Sequence, residues 1–108
     1  MLPKKQRLTR KEIDKILKGG HTVSSPSFRV KYSINNISFK VASVVSKKIS
    51  KLAVTRNSLR REIYNSVLKH KEETKKLEGL NLVVFMQKRI EKENLDLELS
   101  KTLEKINI

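Results

Sequence analysis

Apolar positions along this chain repeat in two rhythms, and each change of rhythm marks a new element. Leu8, Ile13, Ile16 and Leu17 recur at helical spacing, so Lys4 to Lys18 reads as a helix, with Thr9 and Glu12 spaced as a capping box. Gly19-Gly20 stops it. His21 to Ser25 is short, polar and partly β-branched, an edge strand that Pro26 breaks. In Phe28-Arg29-Val30-Lys31-Tyr32 the period becomes two, which puts Phe28, Val30 and Tyr32 on one face and Arg29 and Lys31 on the other. Asn35-Asn36 suits a hairpin turn, because Asn tolerates positive φ. Ile37 to Val45 then returns as a more apolar strand, predicted to lie inside the sheet.

The rhythm becomes helical again after the basic loop Ser46–Leu52. From about Ala53, Leu59, Ile63 and Val67 share one face, while Asn57, Arg60, Arg61 and Tyr64 gather on another with Arg56 at the border. This helix runs to about Lys71 or on to Leu77, and Gly79 ends it. Leu80 to Phe85 is a continuous apolar run, a buried strand. A charged connector, Gln87–Asn94, leads to a last amphipathic helix marked by Leu95, Leu99, Leu103 and Ile106. Its acids come early and its lysines late, as a helix dipole favours. The order α-β-β-β-α-β-α predicts an α+β, two-layer sandwich formed by one domain over residues 1–108.

Charge changes this picture from a fold to a surface. The net charge is +14, and residues 1–71 hold 18 Lys/Arg against 3 Asp/Glu, whereas residues 72–108 hold 7 against 8. The excess peaks between Ser46 and Arg61, where the pattern predicts a strand end, a loop and a helix start. An unbalanced basic stretch of this kind points to a polyanion, most simply a nucleic acid backbone. Asn57 and Tyr64 add groups that can hydrogen-bond or stack on nucleotides. A solvated helix face is the ordinary fate of a charge run, but within residues 46–68 only Glu62 offers a balancing acid. The chain contains no cysteine, which excludes disulfides and thiolate metal sites. With no apolar run long enough to span a bilayer, the expectation is a soluble, cytoplasmic protein with no membrane partner.

Catalytic constellations are missing. His21 and His70 fall in unrelated segments, Glu12 and Asp14 point apart on a helix, and no metal-protease, nucleophile-elbow or glycine-rich phosphate motif is present. No catalytic residue is therefore assigned. Phe28 and Tyr32 can be read as core aromatics or, in the case of Tyr32 above all, as residues lining a groove.

At residues 41–61 the motifs meet a family. Val45-Ser46-Lys47-Lys48, then Ala53-Val54, Arg56-Asn57 and Arg60-Arg61, resemble the signature of the bacterial ribonuclease P protein subunit, a strand ending in V-S-K-K followed by A-V-x-R-N-R-x-[KR]-R at the start of a helix. The resemblance extends through Leu2-Pro3-Lys4, the glycine stop at Gly20, the strand around Phe28, and Gly79-Leu80. The chain departs from the pattern in places. Ser58 replaces the second arginine of R-N-R, Ser50 stands where many members have Gly, Tyr64-Asn65 replace an R-E pair, and Ile13 and Leu17 stand where aromatics are usual.

The resemblance implies a ribosomal-protein-like α/β sandwich with a left-handed crossover around the second helix. It implies an RNA-binding subunit of a tRNA-maturation endoribonuclease, in which a catalytic RNA with bound Mg2+ removes the 5′ leader of precursor tRNA. On that basis Lys47, Lys48, Lys51, Arg56, Asn57, Arg60 and Arg61 would bind the RNA subunit. Ile13, Leu17, Phe28, Tyr32 and Tyr64 would be candidates for a leader groove between that helix and the sheet. The partners implied are the catalytic RNA and precursor tRNA, with no protein partner, and metal positions on the protein are unassigned. A ribosomal-RNA-binding module is the alternative, and a protein nuclease acting alone is a third reading that the missing acid and histidine clusters disfavour.

Overall fold

A computed structural model describes residues 7–35, 38–74 and 77–106. Helix α1 (Arg10–Gly19) is followed by strands β1 (His21–Ser24), β2 (Phe28–Ile34) and β3 (Lys40–Val44), then α2 (Ala53–Thr74), β4 (Leu80–Met86) and α3 (Lys92–Glu104). This is the order predicted from the apolar rhythm.

The capping box sets where α1 starts. The Thr9 hydroxyl accepts the Glu12 N–H at 3.3 Å, and the Thr9 N–H donates to the Glu12 carboxylate at 3.0 Å. An N-cap has extended backbone, so the helix begins at Arg10 instead of within the basic leader. Lys4 to Gln6 of the predicted helix lie outside the described residues. Arg7 instead forms a parallel bridge with Val41 along the free edge of β3.

The sheet order is β1-β2-β4-β3, which corrects the predicted hairpin between β2 and β3. β4 lies between them, antiparallel to β2 and parallel to β3. The physical reason is the composition of β4. Leu80, Leu82, Val83, Val84 and Met86 are all buried, so both faces need cover and the centre of the sheet suits them. β3 alternates buried Val41 and Ser43 with more exposed Lys40, Ala42 and Val44, and therefore tolerates an edge. Asn35, expected in a β2–β3 hairpin turn, instead bonds to the start of β4. Its N–H donates to the Gly79 carbonyl at 2.8 Å and its side-chain amide donates to Asn81 at 2.6 Å. Asn36 and Ile37 lie outside the described residues.

α2 and α3 seal one face of the sheet. Phe28, Val30, Leu82 and Val84 from the strands meet Ile63 and Val67 of α2 and Leu95, Leu99 and Leu103 of α3, all at 0–1% exposure. Gly79 (φ 75°) makes the positive-φ turn that carries α2 into β4. α1 lies on the opposite face and adds a partial third layer, since the Lys31 ammonium on that face reaches the Leu17 carbonyl at 3.5 Å. Its close approach requires Gly20, where a Cβ would sit 2.6 Å from the Ile16 carbonyl oxygen and 2.9 Å from that of Tyr32.

Three carboxylates join separate elements. Glu98 of α3 accepts from the Ser25 hydroxyl at 2.7 Å and from the Ser27 N–H and hydroxyl at 2.7 and 3.1 Å. Burial pushes its pKa up, but these hydrogen bonds outweigh it and hold the group below its ordinary value. Glu12 is lowered by the Thr9 N–H and by Lys40, whose ammonium lies 3.0 Å away. Asp96 is lowered chiefly by the Ser66 hydroxyl, which donates to it at 2.7 Å, and further by Lys69.

Candidate nucleic-acid interface

The basic loop is held from within, so its lysines are left to solvent. Ile49 packs against the core, and its N–H donates to the Ser46 carbonyl at 3.0 Å. The Arg56 guanidinium folds back from α2 and donates to the carbonyls of Ser50 and Lys51, both at 3.0 Å. The Ser50 hydroxyl accepts the Leu52 N–H at 3.3 Å. Lys47, Lys48 and Lys51 are exposed, and among the described residues none of their side-chain ammonium groups forms an ion pair or hydrogen bond.

The first turns of α2 continue this surface. No acid occurs in the first turn, so the positive end of the helix dipole adds to the side-chain charge. Asn57 is exposed and accepts a hydrogen bond from the half-buried Arg60 through its side-chain oxygen, which orients the guanidinium. Arg61 is exposed and, among the described residues, has no partner. The loop and the helix start thus bring together all seven residues read from the sequence as RNA-binding. Arg56 differs from the rest in using guanidinium donors to shape the loop.

The five groove candidates do not converge. Phe28 is 0% exposed and Tyr32 is 7% exposed, both on the face sealed by α2 and α3, so they are core residues. Tyr64 is half-buried against the same core, with its hydroxyl accepting the Ser43 N–H at 3.4 Å. Side chains fill the space between α2 and the sheet, which corrects the expected position of the groove. Ile13 and Leu17 belong to α1 on the opposite side, where Leu17 is 38% exposed.

Open space lies on that opposite side instead. A cleft of 540 Å³ runs between α1 and the sheet, lined by Lys15, Ile16, Gly20, Ser33 and Asn81 among others. Across the same sheet face, Arg29 lies over the Phe85 ring at 5.9 Å. The period-two pattern places Arg29 and Lys31 on this face, opposite Phe28 and Tyr32. A second groove, of 470 Å³, separates the start of α2 from the β4–α3 connector and is lined by Val54, Ser58, Leu59, Arg89, Ile90 and Lys92. Composition hid this groove, because its cations come from the nearly neutral last third of the chain.

Among the described residues, no group of three or more His, Asp or Glu could hold a metal ion, and no helix is long and apolar enough to cross a membrane.

The chain is similar in structure to the ribonuclease P protein of Thermotoga maritima, with a TM-score of 0.75 at 24% identity over 94% of this chain and 98% of that one. It is also similar to the Staphylococcus aureus RNase P protein, with a TM-score of 0.64 at 25% identity over 92% and 89% of the two chains. No curated protein sequence matches it. The Ribonuclease P family profile matches residues 2–107, which selects this family over a ribosomal-RNA-binding module. The four-stranded mixed sheet, the basic loop and helix start, and this match agree: the chain belongs to the ribonuclease P protein family, the subunit of the bacterial tRNA-processing endoribonuclease that associates with RNase P RNA.

Proposed function

We propose that this protein positions two RNAs, the catalytic RNA and precursor tRNA, so that the 5′ leader is removed. The observation that carries this reading is the set of exposed cations at Lys47, Lys48, Lys51 and Arg61, held on an ordered loop and helix start without internal partners among the described residues. Cations arranged in this way neutralise phosphates and release counterions, which drives RNA association. Arg60 and Arg61 present guanidinium forks suited to phosphate oxygens, and Asn57 holds the first of them in place. Arg56 keeps the loop in shape while lying beside the same RNA.

The leader passes over the open sheet face beside α1. There Arg29 and Lys31 meet phosphates, and Phe85, Leu17 and Ile13 supply apolar contact. Magnesium would be held by the RNA in this reading; among the described residues the acids and histidines form no cluster of three or more that could hold a metal ion. When bound there, the ion supplies the activation of water for phosphodiester hydrolysis. The protein's share is to lower repulsion between two polyanions and to orient them, in the cytoplasm where tRNA is processed.

The test is cleavage of precursor tRNA by the cognate RNA subunit at limiting magnesium, with and without this protein. Adding the protein should raise cleavage and lower the magnesium required. No change in either would overturn the reading.

A further inference from the structure

We propose that the groove between the first turns of α2 and the β4–α3 connector seats an unpaired nucleotide of the RNA subunit, its phosphate on Arg89 and Lys92 and its base against Val54 and Ile90. This rests on the reading of the protein as an RNA-binding subunit and adds to it a wall supplied by a different part of the chain.

The groove has the mixed chemistry that a nucleotide requires. Its apolar side is unusual for so polar a chain. Val54 is 80% exposed at the helix start and Leu52 beside it is 68% exposed, in a sequence where 33% of residues are charged. The volume of 470 Å³ lies within the range of roughly 300–1,000 Å³ common for small organic ligands. Thr55 and Ser58 line it with hydroxyls, and Glu91 lines it with a carboxylate that can accept from a base amino group. Arg89 and Lys92 complete the wall, and among the described residues neither side chain forms an ion pair or hydrogen bond.

An unstacked base offers a flat apolar face and a polar edge, while its phosphate needs a cation. A duplex hides the first two of these features, so the occupant is single-stranded. Ser58 sharpens the argument. It stands where the resembling signature carries an arginine, and it lines the same groove as Arg89. The small side chain leaves the groove open, and the positive charge that the helix lacks at this position is provided from across it.

The experiment measures affinity for the cognate RNA subunit against salt concentration in four variants of the full chain. Arg89→Ala with Lys92→Ala should weaken binding by about tenfold and reduce the salt slope by roughly 0.7, the effect of one single-strand phosphate contact. Val54→Ala should weaken binding by about fivefold with no change in slope, because an apolar contact releases no counterion. Ser58→Arg placed on the double variant should recover part of both the affinity and the slope. Arg60→Ala with Arg61→Ala serves as the reference. If the reference loses affinity while the connector and Val54 variants bind as the wild type does, the groove proposal is overturned and the RNA-subunit reading stands. If the reference also binds normally, the underlying reading itself fails.

Discussion

The carboxylates of Glu12, Asp96 and Glu98 each hold several partners within the fold, whereas the charged side-chain groups of Lys47, Lys48, Lys51 and Arg61 hold none among the described residues. Both sets are charged and both lie near the surface, yet they are used differently. The acids join elements distant in sequence, as Glu98 does when it ties α3 to the β1–β2 turn across |i−j| = 73. The cations sit on a loop whose own backbone and core anchors already hold it, so their charge is available to a ligand. Loss of an acid should therefore appear in stability, and loss of a cation in RNA binding.

The largest effect should come from breaking the outward face at Arg61 and at its neighbour Arg60, which Asn57 orients. Arg60→Ala with Arg61→Ala should reduce affinity for the RNA subunit on the order of 10²-fold, from two charge-assisted contacts, while thermal unfolding stays close to wild type. Filter binding alongside calorimetry checks both halves of that statement. A drop in stability that accounts for the binding loss would erase the distinction between the two sets.

Breaking the inward set comes next. Glu98→Ala removes the acceptor for three hydrogen bonds and should cost about 2 kcal/mol of unfolding free energy in urea. RNA affinity of the folded fraction should not change. The same comparison has a pH form. Glu12, Asp96 and Glu98 are all held below their ordinary values, so the folded state binds their protons less tightly than the unfolded state does. Their contribution is complete above the ordinary carboxylate range, near about pH 4, and is lost as pH falls through the lowered folded values. Unfolding followed down through that range should show declining stability, with a shallower decline in Glu98→Gln. An equal slope in wild type and variant would remove Glu98 from the account.

The smallest effect belongs to Lys69, whose ammonium lies 3.3 Å from Asp96 but is 62% exposed. Lys69→Ala should change stability by less than about 0.5 kcal/mol, since exposed pairs are screened and entropically costly. A larger loss, measured by the same urea titration, would show that surface pairing matters more here than the comparison allows.

These contrasts show which parts of the molecule were readable from residues alone. Every element was legible, because helical and strand periods are local properties. The capping box at Thr9 and Glu12 was legible too, although the helix drawn through it began too early. Strand neighbours were not legible. Asn35 marks the end of β2, but which strand pairs with β2 depends on which one is apolar on both faces, a competition between segments far apart. The exposed basic set was visible because Lys47 to Arg61 is one contiguous stretch. The groove was misplaced because an aromatic at strand spacing reports only which face it shares, and Phe28 and Tyr32 share the face that α2 and α3 cover. Arg89 was hidden for a related reason: its role depends on a groove whose other wall starts at Val54.

The most direct test of the central claim is the salt dependence of wild-type binding to the cognate RNA subunit. For about six phosphate contacts, affinity should fall on the order of 10³-fold between about 50 and 200 mM monovalent salt. A flat response across that range would contradict the account, because cations without internal partners would then have no phosphates to meet.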